Sequence, residues 1–228
     1  EDGGPYREEL LSFHAALDEH IGSIRESLPS DVTLVVGSTH GFRRLRHDVY
    51  CNEWLEREGW LSYEDDDHDA LADVDDETRA YSLVPGRFYL NVEGREPNGA
   101  VPEDEYEATR AELREALESW TGPDGNQVAD RVVDRETVFR GDHAAIAPDL
   151  VVLPNDGFDL KSGFRPHDGV FDADGPRTGM HAFDDAALFV DHPDATVEDA
   201  DLLDVAPTLL RLLDVDYGRT DFDGASLV

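Results

Sequence analysis

The sequence predicts a layered α/β fold with a mostly parallel sheet, and three observations carry that expectation. The run VTLVV at Val32–Val36 is apolar or β-branched without a polar interruption, as in a strand buried on both faces. Two further runs of this kind follow, DLVVLP at Asp149–Pro154 and a shorter one at Ala186–Val190. Between and around them stand segments with helical periodicity, and strands alternating with helices give layered α/β architectures.

The elements are justified in order. Tyr6–Leu28 places Leu10, Leu11, Phe13, Ala16, Leu17, Ile21 and Ile24 three and four apart, the spacing of an amphipathic helix, and Pro29-Ser30 ends it. The buried strand follows and stops at Gly37. Tyr50–Leu61 is predicted as a short helix closed by Gly59, with Trp54, Leu55 and Trp60 in the core. Ser62–Arg79, rich in Asp and Glu, is expected to be a solvated surface loop at about 62–79. Tyr81–Val84 and Arg87–Val92 are predicted strands around Pro85-Gly86, and NVEGREPNG at Asn91–Gly99 has the chemistry of a turn. Pro102–Trp120 returns to helix, with Glu103, Asp104 and Glu105 at its positive end. Val128–Phe139 is expected to be extended. A long loop is expected at about 155–178, where Gly, Pro and Asp replace periodicity. Asp204–Leu213 closes the chain as a helix with Asp204 as its cap and Pro207 in its first turn. No internal repeat and no linker divides the 228 residues, so one domain is expected.

Charge narrows the function classes. Nineteen Lys and Arg stand against 53 Asp and Glu, a formal net charge of -34, which argues against gripping nucleic acid through its phosphates. Lys161 is the sole lysine, and aspartate is spread over every segment, the pattern of a salt-adapted acidic surface. With 39% hydrophobic residues the chain nonetheless has material for a core. The single cysteine, Cys51, excludes an internal disulfide and a cysteine metal cluster. No apolar run approaches the ~20 residues of a membrane span and no signal peptide is visible, so cytoplasm is the default expectation. Because the chain opens with EDGGPY and its sole methionine is Met180, residue 1 is not expected to be a translation start.

Candidate site residues lie at strand ends. Ser38-Thr39-His40-Gly41 should form a loop beyond the carboxyl end of the first buried strand, where open α/β sheets place ligands. A histidine there is a candidate metal ligand or proton carrier, or simply a polar turn residue. His181, in Gly179-Met180-His181, precedes the strand at Ala186–Val190. It can share a site with His40 only if that strand runs antiparallel to the first or the loop doubles back. His68 amid Asp65, Asp66, Asp67 and Asp69 invites a cation reading, but the glycine and terminal glutamate of a calcium loop are missing, so a solvated loop is preferred.

The segments DVTLVVGSTHGF, NEWLEREGWL, YLNVEGREPNG, APDLVV, TGMH and DLLDVAPTLLRLLDV, in this order, resemble the carboxyl-terminal half of type I phosphodiesterase/nucleotide pyrophosphatase proteins of the alkaline phosphatase superfamily. The acidic composition resembles a haloarchaeal member. The resemblance implies an alkaline phosphatase-like α/β/α sandwich, of which residues 1–228 would be the carboxyl-terminal part and therefore incomplete. It implies two divalent metal ions, usually zinc, that activate a Thr or Ser nucleophile and neutralise the phosphoryl group in flight. The substrate would be a small phosphate ester or nucleotide.

Carried over residue by residue, His40 matches the histidine of the family's Ser-Asp-His-Gly signature and His181 that of its Gly-x-His signature, each a ligand to one metal. Thr39 occupies the place of a metal-binding aspartate, and a hydroxyl supplies neither the charge nor the second oxygen of a carboxylate. The family's nucleophile, its first metal-binding aspartate and its Asp-x-x-x-His motif have no match between Glu1 and Pro29. Thr39 and Thr178 as replacement nucleophiles lack a base or metal pair fixed by sequence, and His167-Asp168 is better read as surface. Two function classes follow: a metal-dependent phosphoric ester hydrolase whose nucleophile half lies elsewhere, or a pseudoenzyme that uses the same scaffold for binding or assembly. Substrate identity and oligomeric state are not legible.

Overall fold

The structure, a computed structural model, describes residues 4–218 and 221–228. In chain order the elements are helix α1 (Arg7–Ser27), strands β1 (Val35–Gly37), β2 (Gly41–Arg44) and β3 (His47–Tyr50), helix α2 (Cys51–Arg57), and strands β4 (Ala80–Val84) and β5 (Arg87–Leu90). Helix α3 (Tyr106–Ser119), strand β6 (Ala129–Asp134), the single turn α4 (Arg135–Val138) and strands β7 (Leu150–Pro154), β8 (Phe158–Lys161), β9 (Phe171–Asp172), β10 (Gly179–Ala182) and β11 (Leu188–Val190) follow, and α5 (Val205–Leu212) comes last. They pack as two compact units, one of residues 1–41 with 183–228 and one of residues 42–182.

In the first unit β1 pairs antiparallel with β11, Val35 opposite Val190 and Gly37 opposite Leu188. The strand predicted as buried on both faces is shorter and more open than expected: Val35 and Val36 are half-buried and Gly37 is exposed. Helix α1 forms where its periodicity places it, yet buries none of its residues; Phe13 is 64% exposed. Periodicity specifies a helix with an apolar face, whereas burial needs a partner surface, and none of the described elements covers this one. Before α5, Asp201 accepts the backbone N–H of Leu203 and Asp204 accepts that of Asp201, a reciprocal cap on the turn Leu202–Asp204. Asp204 precedes α5 as predicted but makes no side-chain cap on it; its other oxygen accepts Ala225 N–H at 2.7 Å, tying down the last segment.

The second unit holds the hydrophobic core. Its four-stranded sheet has the order β4-β5-β7-β6 with every pair antiparallel. β4 and β5 form the predicted hairpin around Pro85-Gly86, Gly86 taking the positive φ of 70° that this turn requires. Helix α3 lies on the sheet through Leu113 and Leu117, both fully buried against Phe88, Leu90 and Leu150. Helix α2 ends as expected, with Gly59 at φ 75° beyond it and Trp54, Leu55 and Trp60 buried. A smaller sheet has the order β8-β3-β9, and β2 pairs with β10.

Several expectations need correction. Among the described ladders of defined register, β3–β8 is parallel and β1–β11, β3–β9, β4–β5, β5–β7 and β6–β7 are antiparallel, so a mostly parallel sheet is not what the chain forms. A continuous apolar run reports burial on both faces, not strand direction; β7 is such a run and sits inside an antiparallel sheet. The loop expected at about 155–178 contains β8 and β9, whose alternation of buried Phe158 and Leu160 with Asp159 and Lys161 is a short period-two signal. The extended stretch at Val128–Phe139 ends in the helical turn α4. The acidic loop at 62–79 is not wholly solvated: His68 is 6% exposed, and Val74 and Thr78 are buried.

Candidate functional site

In the first unit the chain leaves β1 as Ser38-Thr39-His40-Gly41. Ser38 fixes this loop to β11's approach, its N–H donating to Ala187 O at 2.9 Å and its Oγ accepting Ala187 N–H at 2.8 Å. Thr39 is exposed and His40 half-buried. His40 Nδ1 donates to Gly41 O at 2.8 Å, which orients the ring. Gly41 is demanded by the backbone beside it: a Cβ there would lie 2.0 Å from Asp184 O.

In the second unit His181 sits on β10 with an exposed side chain between buried Met180 and Ala182. A second glycine is required here, because a Cβ on Gly179 would lie 2.0 Å from the ring of Phe42. The glycines of both histidine-bearing signatures thus have steric reasons that need no ligand. His40 and Thr39 are brought together in the first unit, while His181 belongs to the second.

Two other segments singled out by the sequence meet inside the second unit. Asp149, from APDLVV, is fully buried and accepts from Arg95 Nη1 and Nη2 (2.8 and 2.7 Å), Leu90 N–H (2.8 Å), Tyr106 Oη (2.8 Å) and Arg135 Nη1 (3.1 Å). Arg95 belongs to NVEGREPNG, whose Asn91 donates to Thr78 O and Asn98 O and so holds the turn closed. Burial pushes the Asp149 carboxyl upward, but Arg95 and the other donors outweigh it and hold the group below the usual carboxylate range. This network was missed in the sequence because neither its arginines nor its aspartate carry a spacing signal.

A family model described as Type I phosphodiesterase / nucleotide pyrophosphatase matches residues 2–184. The chain belongs to that family. Neither the curated proteins nor the solved structures give a match. Type I phosphodiesterases are generally metal-dependent, and membership implies an alkaline phosphatase-like fold and hydrolase chemistry on small phosphoesters or nucleotides. Among the described residues, however, no group of three or more His, Cys, Asp and Glu side chains is placed to hold a metal ion. The described side chains do not by themselves complete the centre this phosphodiesterase family implies. Among the described residues no helix is long and apolar enough to cross a membrane.

Proposed function

We propose that this chain forms part of a metal-dependent phosphoric ester hydrolase acting on small phosphate esters or nucleotides. The observation that carries the reading is the family match over residues 2–184. On this reading His40 and His181 each ligate one of two divalent metal ions, zinc being the preferred species for imidazole, with Thr39 a weak neighbour to His40. Metals held there would supply charge neutralisation at the phosphoryl group and activation of a nucleophile. His40's own contribution is positional: its Nδ1 bond to Gly41 O orients the ring. The acidic surface slows encounter with anionic substrates unless salt masks it.

Thr39 supports a second reading, a pseudoenzyme that retains the fold for binding or assembly. Hydrolysis of a nitrophenyl phosphodiester by the full-length protein supplied with zinc or manganese separates the two. Turnover lost in His40→Ala supports the hydrolase; absence of turnover with every metal supports the pseudoenzyme.

A further inference from the structure

The second unit contains a cavity of about 420 Å³ lined by the end of α2 and the acidic segment that follows it. Five carboxylates contribute to the lining, from Glu56, Glu64, Asp65, Asp66 and Glu77, and neither lysine nor arginine does. Among the described residues none of the five carboxylates has an ion-pair partner. Burial, and then the charge of Glu53 and Asp66, pushes the Glu56 carboxyl above its ordinary range against an opposing pull from His68. The negative charge gathered here is unanswered within the described chain.

On a chain of net charge -34 an acidic lining alone says little, but His68 supplies an independent signal. It is 6% exposed, and its ring stacks on that of Tyr63 with centroids 3.4 Å apart. Its Nδ1 donates to Phe164 O, since a carbonyl can only accept. Nε2 has no hydrogen-bond partner among the described residues, yet it is not sealed from water. Because His68 lines this cavity, the open part of an otherwise buried ring is turned into it. In the neutral ring Nε2 is an acceptor, so what it lacks is a donor. A cationic N–H answers this nitrogen and the carboxylates together.

We propose that this cavity binds a linear aliphatic diamine or polyamine, one ammonium donating to His68 Nε2 and to the cavity carboxylates, with its methylenes against Leu61 and Tyr63. A compact metal ion suits the lining poorly: among the described residues no three His, Cys, Asp or Glu side chains are placed to hold one. Carboxylates distributed around a cavity instead match positive charges spaced along a chain. The segment Asp65-Asp66-Asp67-His68 also lacks the glycine and terminal glutamate of a calcium loop, which points the same way. This site does not depend on the phosphoester reading.

The test titrates the isotope-labelled full chain at constant ionic strength with diaminobutane and with magnesium chloride, whose cation matches it in charge. It is run at about pH 8, where an ordinary imidazole is mostly neutral. Two double variants that remove equal charge are compared: Asp66→Asn with Glu77→Gln at the cavity, and Glu8→Gln with Glu9→Gln on α1. All four side chains are exposed, so the fold tolerates both pairs of changes. Diaminobutane is expected to move the amides of Ser62 and Tyr63 and the His68 imidazole signal saturably, and to bind more tightly than magnesium. The cavity variant should weaken it about five- to tenfold and the α1 variant should leave it unchanged. The His68 signal is assigned by its loss in His68→Gln; if that protein fails to fold, the two double variants still decide. Absence of a saturable shift, a His68 signal that stays still, equal affinity for magnesium, or equal affinities in the two double variants overturns the proposal.

Discussion

Arg95 grips both carboxylate oxygens of the buried Asp149, at 2.8 and 2.7 Å, and so joins the NVEGREPNG turn to the strand of APDLVV. The two segments lie more than fifty positions apart in the chain, and each has its role only through the other. Removing one partner of a buried ion pair leaves the other uncompensated, typically at a cost of ~3–5 kcal/mol. Asp149→Asn should therefore lower stability by about that much in urea or thermal unfolding. The pH sign follows from the depressed folded-state pKa. The contribution of Asp149 is fully present above the ordinary carboxylate value near ~3.9 and is lost as pH falls through the lower folded value. Asp149→Asn should flatten that acid limb; an unchanged acid-unfolding profile would contradict it.

Gly41 and Gly22 form a contrasting pair. A Cβ at Gly41 would collide with Asp184 O, whereas one at Gly22, within α1, would meet nothing within 4 Å. Gly41→Ala should loosen the first unit, seen as faster amide exchange around residues 183–190. Gly22→Ala should stabilise α1 by about 0.5–1 kcal/mol. Equal effects from both would refute the steric account.

Much of the second unit was legible in the sequence because its signals are local. The Pro85-Gly86 hairpin, the Gly59 stop after α2 and the periodicity of α3 each fall where the sequence puts them. Strand direction was not legible, because an apolar run such as LVVL at β7 reads the same in either orientation. Nor was the exposure of Leu10, Phe13 and Leu17 on α1, since a stripe reports what a helix can bury and not what covers it. For the proposed site, the motifs pointed to His40, His181 and Thr39 as expectations, and the backbone gives steric reasons for the adjoining glycines. The ligands that would complete a metal centre were not legible, and the described residues do not supply them.

Cys51 is fully buried, and burial pushes its thiol up to about 12. The thiolate is the reactive form, so native protein should resist a disulfide-exchange reagent at neutral pH and react at the rate of unfolding. Rapid stoichiometric labelling of folded protein would contradict this.

The net charge of -34 makes salt a stability variable. Raising ionic strength from dilute buffer to molar, where the Debye length shrinks to ~3 Å, should screen self-repulsion and raise Tm. An unchanged Tm across that range would remove the case for salt adaptation.

The most direct test of the central claim is zinc binding by the full-length protein, compared with His40→Ala and His181→Ala. Each substitution removes a proposed ligand and should weaken binding beyond the ~10–100-fold that changes to outer-shell partners cost. Zinc affinity and stoichiometry unchanged in both variants would contradict the assignment of these histidines to a metal-dependent phosphoester hydrolase.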